Sequence, residues 1–198
     1  MAVLAICPFS RHPTAAWSHQ DARTGFEVVY FQVHDEGHLL IGSTTALQQG
    51  RTWIVDYEIR VDASWMTHSA RVTGRSSTGL CTLLLEHDGH GRWQVDGARA
   101  PDLDGCLDID LESSAMTNAL PVHRLDLEIG GRSAAPAAYV RADHLGVERL
   151  EQEYIRTSSE QPQQQYNYAA PAFDFTSQLV YDEYGLVVRY PGIAVRAT

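Results

Sequence analysis

Along residues 53–61 apolar and polar side chains alternate. Trp53, Val55, Tyr57, Ile59 and Val61 fall on one face, and Asp56, Glu58 and Arg60 on the other. A period of two held over this length predicts a half-buried β-strand. Upstream, residues 26–33 (FEVVYFQV) are apolar on both faces, as a strand covered on both sides would be. Residues 39–46 follow as its partner across Asp35-Glu36-Gly37. Downstream, residues 67–73 and 81–87 predict strands, Asp88-Gly89 a tight hairpin into residues 93–95, and Asp96-Gly97 another turn. In residues 106–112, Leu107, Ile109 and Leu111 alternate with Cys106, Asp108, Asp110 and Glu112.

Pro121 predicts an extended Leu120, and the alternation resumes over residues 123–129 before Gly130-Gly131. Residues 135–141 and 147–157 predict two more strands, although the charges of the second also allow a short helix. The stretch 158–165 (SSEQPQQQ) is the most loop-like in the chain. Residues 173–181, 186–190 and 193–195 close the chain as a meander. The whole is mainly β with little helix: on the order of a dozen strands at ~8–12-residue spacing, mostly antiparallel, in a sandwich, barrel or curved roll.

At 198 residues the chain suits a single domain. An apolar content of 44% with 20% charged residues is a globular balance rather than a disordered one. The net charge of −10 repels phosphate backbones, which argues against nucleic acid as a partner. The apolar run in residues 2–7 is ended by Pro8 and is short for a secretion signal, and no stretch reaches the ~18 apolar residues of a membrane span. Cys7, Cys81 and Cys106 are an odd set without CxxC spacing, as expected in a reducing cytoplasm.

Asp108 and Asp110 stand two apart on a predicted strand, roughly 6.5–7 Å from each other. That spacing suits the carboxylate pair of a glycoside hydrolase, or two acceptors for sugar hydroxyls. The plain alternative is a solvated outer face. The EF-hand pattern fails because Leu107 stands where its glycine is required, and the histidine pairs His34/His38 and His87/His90 lack a helical HExxH frame. No GxSxG or phosphate-binding loop occurs, so no catalytic, metal-ligating or cofactor-binding residue is assigned. Aromatic residues, Trp53, Tyr57, Trp65 and Trp93 among them, fill a core or line a cavity for an amphiphile with a sugar head.

The run GRWQVDG, GCLDIDL and TNALPVHRL, with Gly25-Phe26-Glu27-Val28, Asp62-Ala63-Ser64-Trp65, Tyr154-Ile155-Arg156 and the closing GLVVRYPG, resembles a bacterial glycolipid-binding family. The resemblance runs from about residue 17 to residue 196 and leaves residues 1–16 as an N-terminal extension. It implies a single large, strongly curved antiparallel sheet, a spiral β-roll or incomplete barrel similar in outline to lipoprotein carriers. The function expected is non-catalytic binding of an amphiphilic ligand such as a glycolipid in the hollow of that sheet, with Trp53, Tyr57, Trp65, Trp93, Asp108 and Asp110 as ligand-binding residues. Two alternatives stand beside it: a carbohydrate hydrolase using Asp108 and Asp110, and a protein-interaction module without a small ligand. The partners considered are a lipid or glycolipid and a second copy of the chain, without stable membrane insertion.

Overall fold

The structure, a computed structural model, describes residues 14–34, 36–160 and 163–197. Expectations for residues 1–13, Cys7 and the short apolar run included, lie outside the described residues.

The first arm of the molecule is a continuous meander. Strands β1 (Thr14–His19), β2 (Thr24–His34), β3 (Gly37–Gln48), β4 (Arg51–Asp62), β5 (Thr67–Ser76), β6 (Gly79–His87), β7 (Trp93–Val95) and β8 (Ala98–Arg99) pair antiparallel in chain order. A middle segment follows: β9 (Asp108–Leu111), a 3-10 turn at Met116–Asn118, helix α1 (Ala119–Leu125), and strands β10 (Arg132–Ala134), β11 (Ala137–Val140) and β12 (Val147–Leu150). The second arm is β13 (Glu153–Glu160), β14 (Gln163–Ala170), β15 (Phe175–Tyr181), β16 (Val187–Tyr190) and β17 (Ala194–Arg196), again antiparallel in order, with β10 on its outer edge. Strand β17 pairs with β1, placing Trp17 opposite Arg196, and so joins the arms into one 14-stranded sheet. The sheet is not closed, because its two end strands, β8 and β10, do not pair with each other.

The middle segment fills the concavity of the sheet. Ile109, Leu111, Ala115, Met116, Ala119 and Leu120 are buried and pack with Trp53, Val55, Tyr57, Ile59 and Val61. Those five residues of β4 form its inner face, as their alternation predicts, but Val55, Tyr57, Ile59 and Val61 meet protein rather than a hollow. Trp17 is fully buried and donates its indole N–H to the Val187 carbonyl at 2.8 Å, tying one arm to the other.

Several local expectations are corrected. Strand β2 is covered on one face only: Glu27, Val29 and Phe31 are inside, whereas Phe26 and Tyr30 are exposed. The inward carboxylate is fully satisfied. Tyr57 Oη donates to Glu27 Oε1 at 2.6 Å, Ser114 Oγ donates to the same oxygen, and the Ala115 N–H donates to Oε2 at 2.7 Å. Tyr57 reaches across β3 to Glu27 because its cross-strand neighbour is Gly42, where a Cβ would sit 2.2 Å from the Tyr57 ring. Leu120 and Pro121 lie in the first turn of α1 rather than in extended chain. A first-turn N–H has no intrahelical acceptor, so proline removes nothing there.

Strand β9 is buried on both faces and runs parallel to β11, so its alternation marks no solvent face. Residues 147–157 divide between β12 and β13, which belong to different sheets. Residues 158–160 and 163–165, expected as loop, belong to the paired strands β13 and β14. Thr14, Ala15 and Ala16, placed with the N-terminal extension, begin β1.

Candidate functional site

Where both arms meet the middle segment, a pocket of about 200 Å³ remains open. Arg23 and Gln48 come from the first arm, Asp110, Glu112, Asn118 and Tyr139 from the middle segment, and Tyr168, Phe173, Phe175 and Tyr190 from the second arm.

Arg23 closes the β1–β2 turn, its N–H donating to the Gln20 carbonyl at 2.9 Å. Its guanidinium is drawn inward: Nη1 donates to the Glu112 carbonyl at 2.8 Å and the group lies 5.3 Å from the centre of the Trp53 ring. The residue is only 7% exposed, and its Nε–H has no hydrogen-bond partner among the described residues. Burial lowers its pKa, opposed by the Glu27 and Glu112 carboxylates. The group stays cationic, with its Nε–H unpaired and closed off from solvent behind the pocket wall.

Asp110 supplies the opposite polarity. Thr117 Oγ1 donates to Oδ1 at 2.9 Å, and Gln152 Nε2 donates to Oδ2. Burial raises its pKa to about 6; the two hydrogen bonds oppose the rise, and the charges of Asp108 and Glu112 add to it. Each oxygen keeps a lone pair beyond the bond it accepts.

The walls are aromatic. Tyr168, Phe175 and Tyr190 face one another with ring centres 6.0–6.2 Å apart. Tyr139 and Phe173 are 5.4 Å apart, and the Arg141 guanidinium lies 5.1 Å from the centre of each. Burial pushes the Tyr139, Tyr168 and Tyr190 phenols far above their usual pKa, so all three remain neutral hydroxyls. A second hollow of about 230 Å³, bounded by Arg51, Trp53, Arg141 and His144, shares Gln48 and Glu112 with the first.

The residues singled out from sequence are dispersed. Asp110 lines the pocket, and Trp53 lines the adjoining hollow. Tyr57 lies beneath the pocket floor, its hydroxyl 3.3 Å from that of Ser114. Asp108 is occupied by Arg124, which donates through Nε at 2.9 Å and Nη2 at 2.6 Å. Trp65 stacks on His123 with ring centres 3.9 Å apart, and Trp93 donates to the Cys106 carbonyl at 2.9 Å. Neither lines the pocket. Arg23, Glu112 and the tyrosines of the second arm were not singled out from sequence. The inward alternation of Tyr166 and Tyr168 was the available signal, but it becomes a site only once the register of β14 against β15 is known.

An open antiparallel sheet wrapped around its own middle segment, with an aromatic pocket carrying both charges where its arms meet, defines an incomplete β-barrel or β-roll. The family described as "Putative glycolipid-binding" matches residues 14–196, and the chain belongs to that family. A solved structure of a DUF1089 family protein from Pseudomonas aeruginosa is similar, at 34% identity and a TM-score of 0.74 over 86% of this chain and 92% of that one. A β-barrel-like protein of domain of unknown function DUF1849 from Brucella abortus aligns over 92% of both chains at 12% identity and a TM-score of 0.46, too distant to inform the site. No curated protein sequence matches the chain. Among the described residues no helix is long and apolar enough to cross a membrane, and no group of three or more histidine, cysteine or acidic side chains could hold a metal ion.

Proposed function

We propose that this protein binds an amphiphilic ligand of the glycolipid class, without covalent chemistry, in the pocket between the two arms. The observation that carries the reading is the pocket itself. Its five aromatic rings surround a cation with an unused donor and a carboxylate with unused acceptor sites. Aromatic walls with a few convergent polar groups are the usual composition of a small-molecule site. Family membership supports the ligand class. The test is native mass spectrometry of gently purified protein, followed by extraction and titration with octyl glycosides. Bound mass that disappears in Ala170→Leu, which fills the pocket, is expected. Protein that is always empty and takes up no octyl glycoside overturns the reading.

A second reading, glycoside hydrolysis, rests on Asp110 and Glu112, which both line the pocket two residues apart. Roughly 6.5–7 Å between such neighbours lies in the range of paired glycosidase carboxylates. It requires turnover of nitrophenyl glycosides that Asp110→Asn abolishes, and absence of turnover across a panel of sugars removes it.

A further inference from the structure

Resting on the binding reading above, we infer that the pocket takes a single sugar ring, read by Arg23 Nε–H and the Asp110 carboxylate, and that the hydrocarbon part of the ligand stays outside.

Volume argues first. The pocket holds about 200 Å³. A water molecule occupies about 30 Å³ and a methylene group about as much, so the space takes roughly seven such groups. That suffices for the six ring atoms of a hexopyranose, with its exocyclic hydroxyls directed to the walls and the open mouth, and not for a long acyl chain. A cavity of about 150 Å³ accommodates one benzene ring, which sets the same scale. Ile109, Leu111, Met116 and Leu120 fill the concavity beside the pocket, and the hollow that adjoins the pocket at Gln48 and Glu112 is bounded by Arg51, Arg141 and His144, a polar lining ill suited to an acyl chain.

The chemistry of the wall argues second. Burying an N–H without a partner is costly, and Arg23 is 93% buried with its Nε–H unpaired just behind the pocket wall, so a small shift of its side chain toward an occupant would relieve that cost. Asp110 adds acceptor sites, and Tyr139, Tyr168 and Tyr190 add neutral hydroxyls. Arg23 offsets one of the two wall carboxylates, Asp110 and Glu112, so the lining disfavours an anion and suits a neutral partner with both donors and acceptors. A polyol ring has both on every hydroxyl, and its C–H faces suit the rings of Phe175 and Tyr190. An apolar chain would leave the donor and the carboxylate unpaired. Phe173 marks the exit: it lines the pocket yet is 41% exposed, so an alkyl group leaving the ring passes over an open aromatic face.

The experiment titrates the full chain by calorimetry with methyl, butyl and octyl hexopyranosides of the gluco, galacto, manno and N-acetylgluco series, and with an octyl sulfobetaine as chain control. The expected result is binding of at least one methyl glycoside. Its affinity should change by less than about tenfold on extension to octyl, and the sulfobetaine should not compete. A chain that entered the pocket would gain about fourfold per methylene. That slope, with an inert methyl glycoside, overturns the inference while leaving the binding reading standing. Silence from every glycoside overturns both. Arg23→Gln and Asp110→Asn should each weaken the methyl glycoside at least tenfold with an unchanged circular dichroism spectrum. If Arg23→Gln does not fold, Asp110→Asn and Tyr190→Phe carry the test, and affinities within twofold of the parent in both overturn the assignment.

Discussion

Removing the Glu27 carboxylate tests whether the middle segment is held to the sheet as described. In Glu27→Ala, the Tyr57 and Ser114 hydroxyls retain each other at 3.3 Å, but the Ala115 N–H is left buried without an acceptor. An orphaned buried donor costs about 1–3 kcal/mol. Truncating a fully buried side chain beneath Tyr57 adds a cavity penalty of similar size. Some relief follows, because burial raises the Glu27 pKa and the charged form is therefore disfavoured there. The net expectation is a loss of about 3–5 kcal/mol, large beside the ~5–15 kcal/mol that holds a typical domain folded. With a urea slope of about 2 kcal/mol per molar, the midpoint falls by about 2 M. Tryptophan fluorescence reads the transition, since Trp17, Trp53, Trp65 and Trp93 are all buried. Glu27→Gln keeps the shape and removes the charge, so its loss should be less than half as large. A Glu27→Ala midpoint within about 0.3 M of the parent, on the same slope, would refute the latch.

Asp108→Asn should destabilise by about 2 kcal/mol in the same assay, because it leaves the half-buried Arg124 beside a neutral partner; replacing both residues by apolar ones should recover most of that loss. Contributors of opposite sign shape the acid limb of stability, the buried His19, its pKa lowered to about 4, acting in the same direction as His123. The His123 pKa is lowered to about 4 by burial, with His38 adding. Its contribution is therefore complete above about pH 6.5 and is lost as pH falls through about 4, a term on the order of 3 kcal/mol. Asp110, raised to about 6, works the other way, its contribution being complete below its ordinary pKa and lost as pH rises through about 6. Urea midpoints between pH 7.5 and 4.5 should thus fall less steeply in His123→Phe, which keeps a ring against Trp65, and more steeply in Asp110→Asn.

The sheet was legible wherever one face is wet. Residues 53–61 alternate because β4 has solvent on one side and core on the other. Alternation failed as a guide where neighbouring chain covers both faces. The acids of β9 read as one exposed face, yet Asp108 and Asp110 are buried against Arg124 and Gln152. Phe26 and Glu27 show the reverse, hydropathy alone putting the phenylalanine inside and the carboxylate out. Glu27 is inside because Tyr57, Ser114 and Ala115 supply three donors from distant points of the chain. The pocket was least legible. Arg23, Asp110 and Tyr190 lie far apart in sequence and meet only through the β1–β17 pairing and the placement of the middle segment.

That pairing bears on the order of events in folding. The first arm is built from neighbouring hairpins and can form locally, but β1 meets β17 only after nearly the whole chain is in place. Contacts between residues so remote in sequence form late and slowly. The pocket has walls from both arms, so it comes into being only with that last closure. An occupant therefore binds the closed form alone and holds it shut, by about 2.7 kcal/mol at a hundred times its dissociation constant. Opening of the β1–β17 seam, followed by amide exchange at residues 17–19 and 194–196, becomes a gauge of occupancy that needs no knowledge of the ligand's identity.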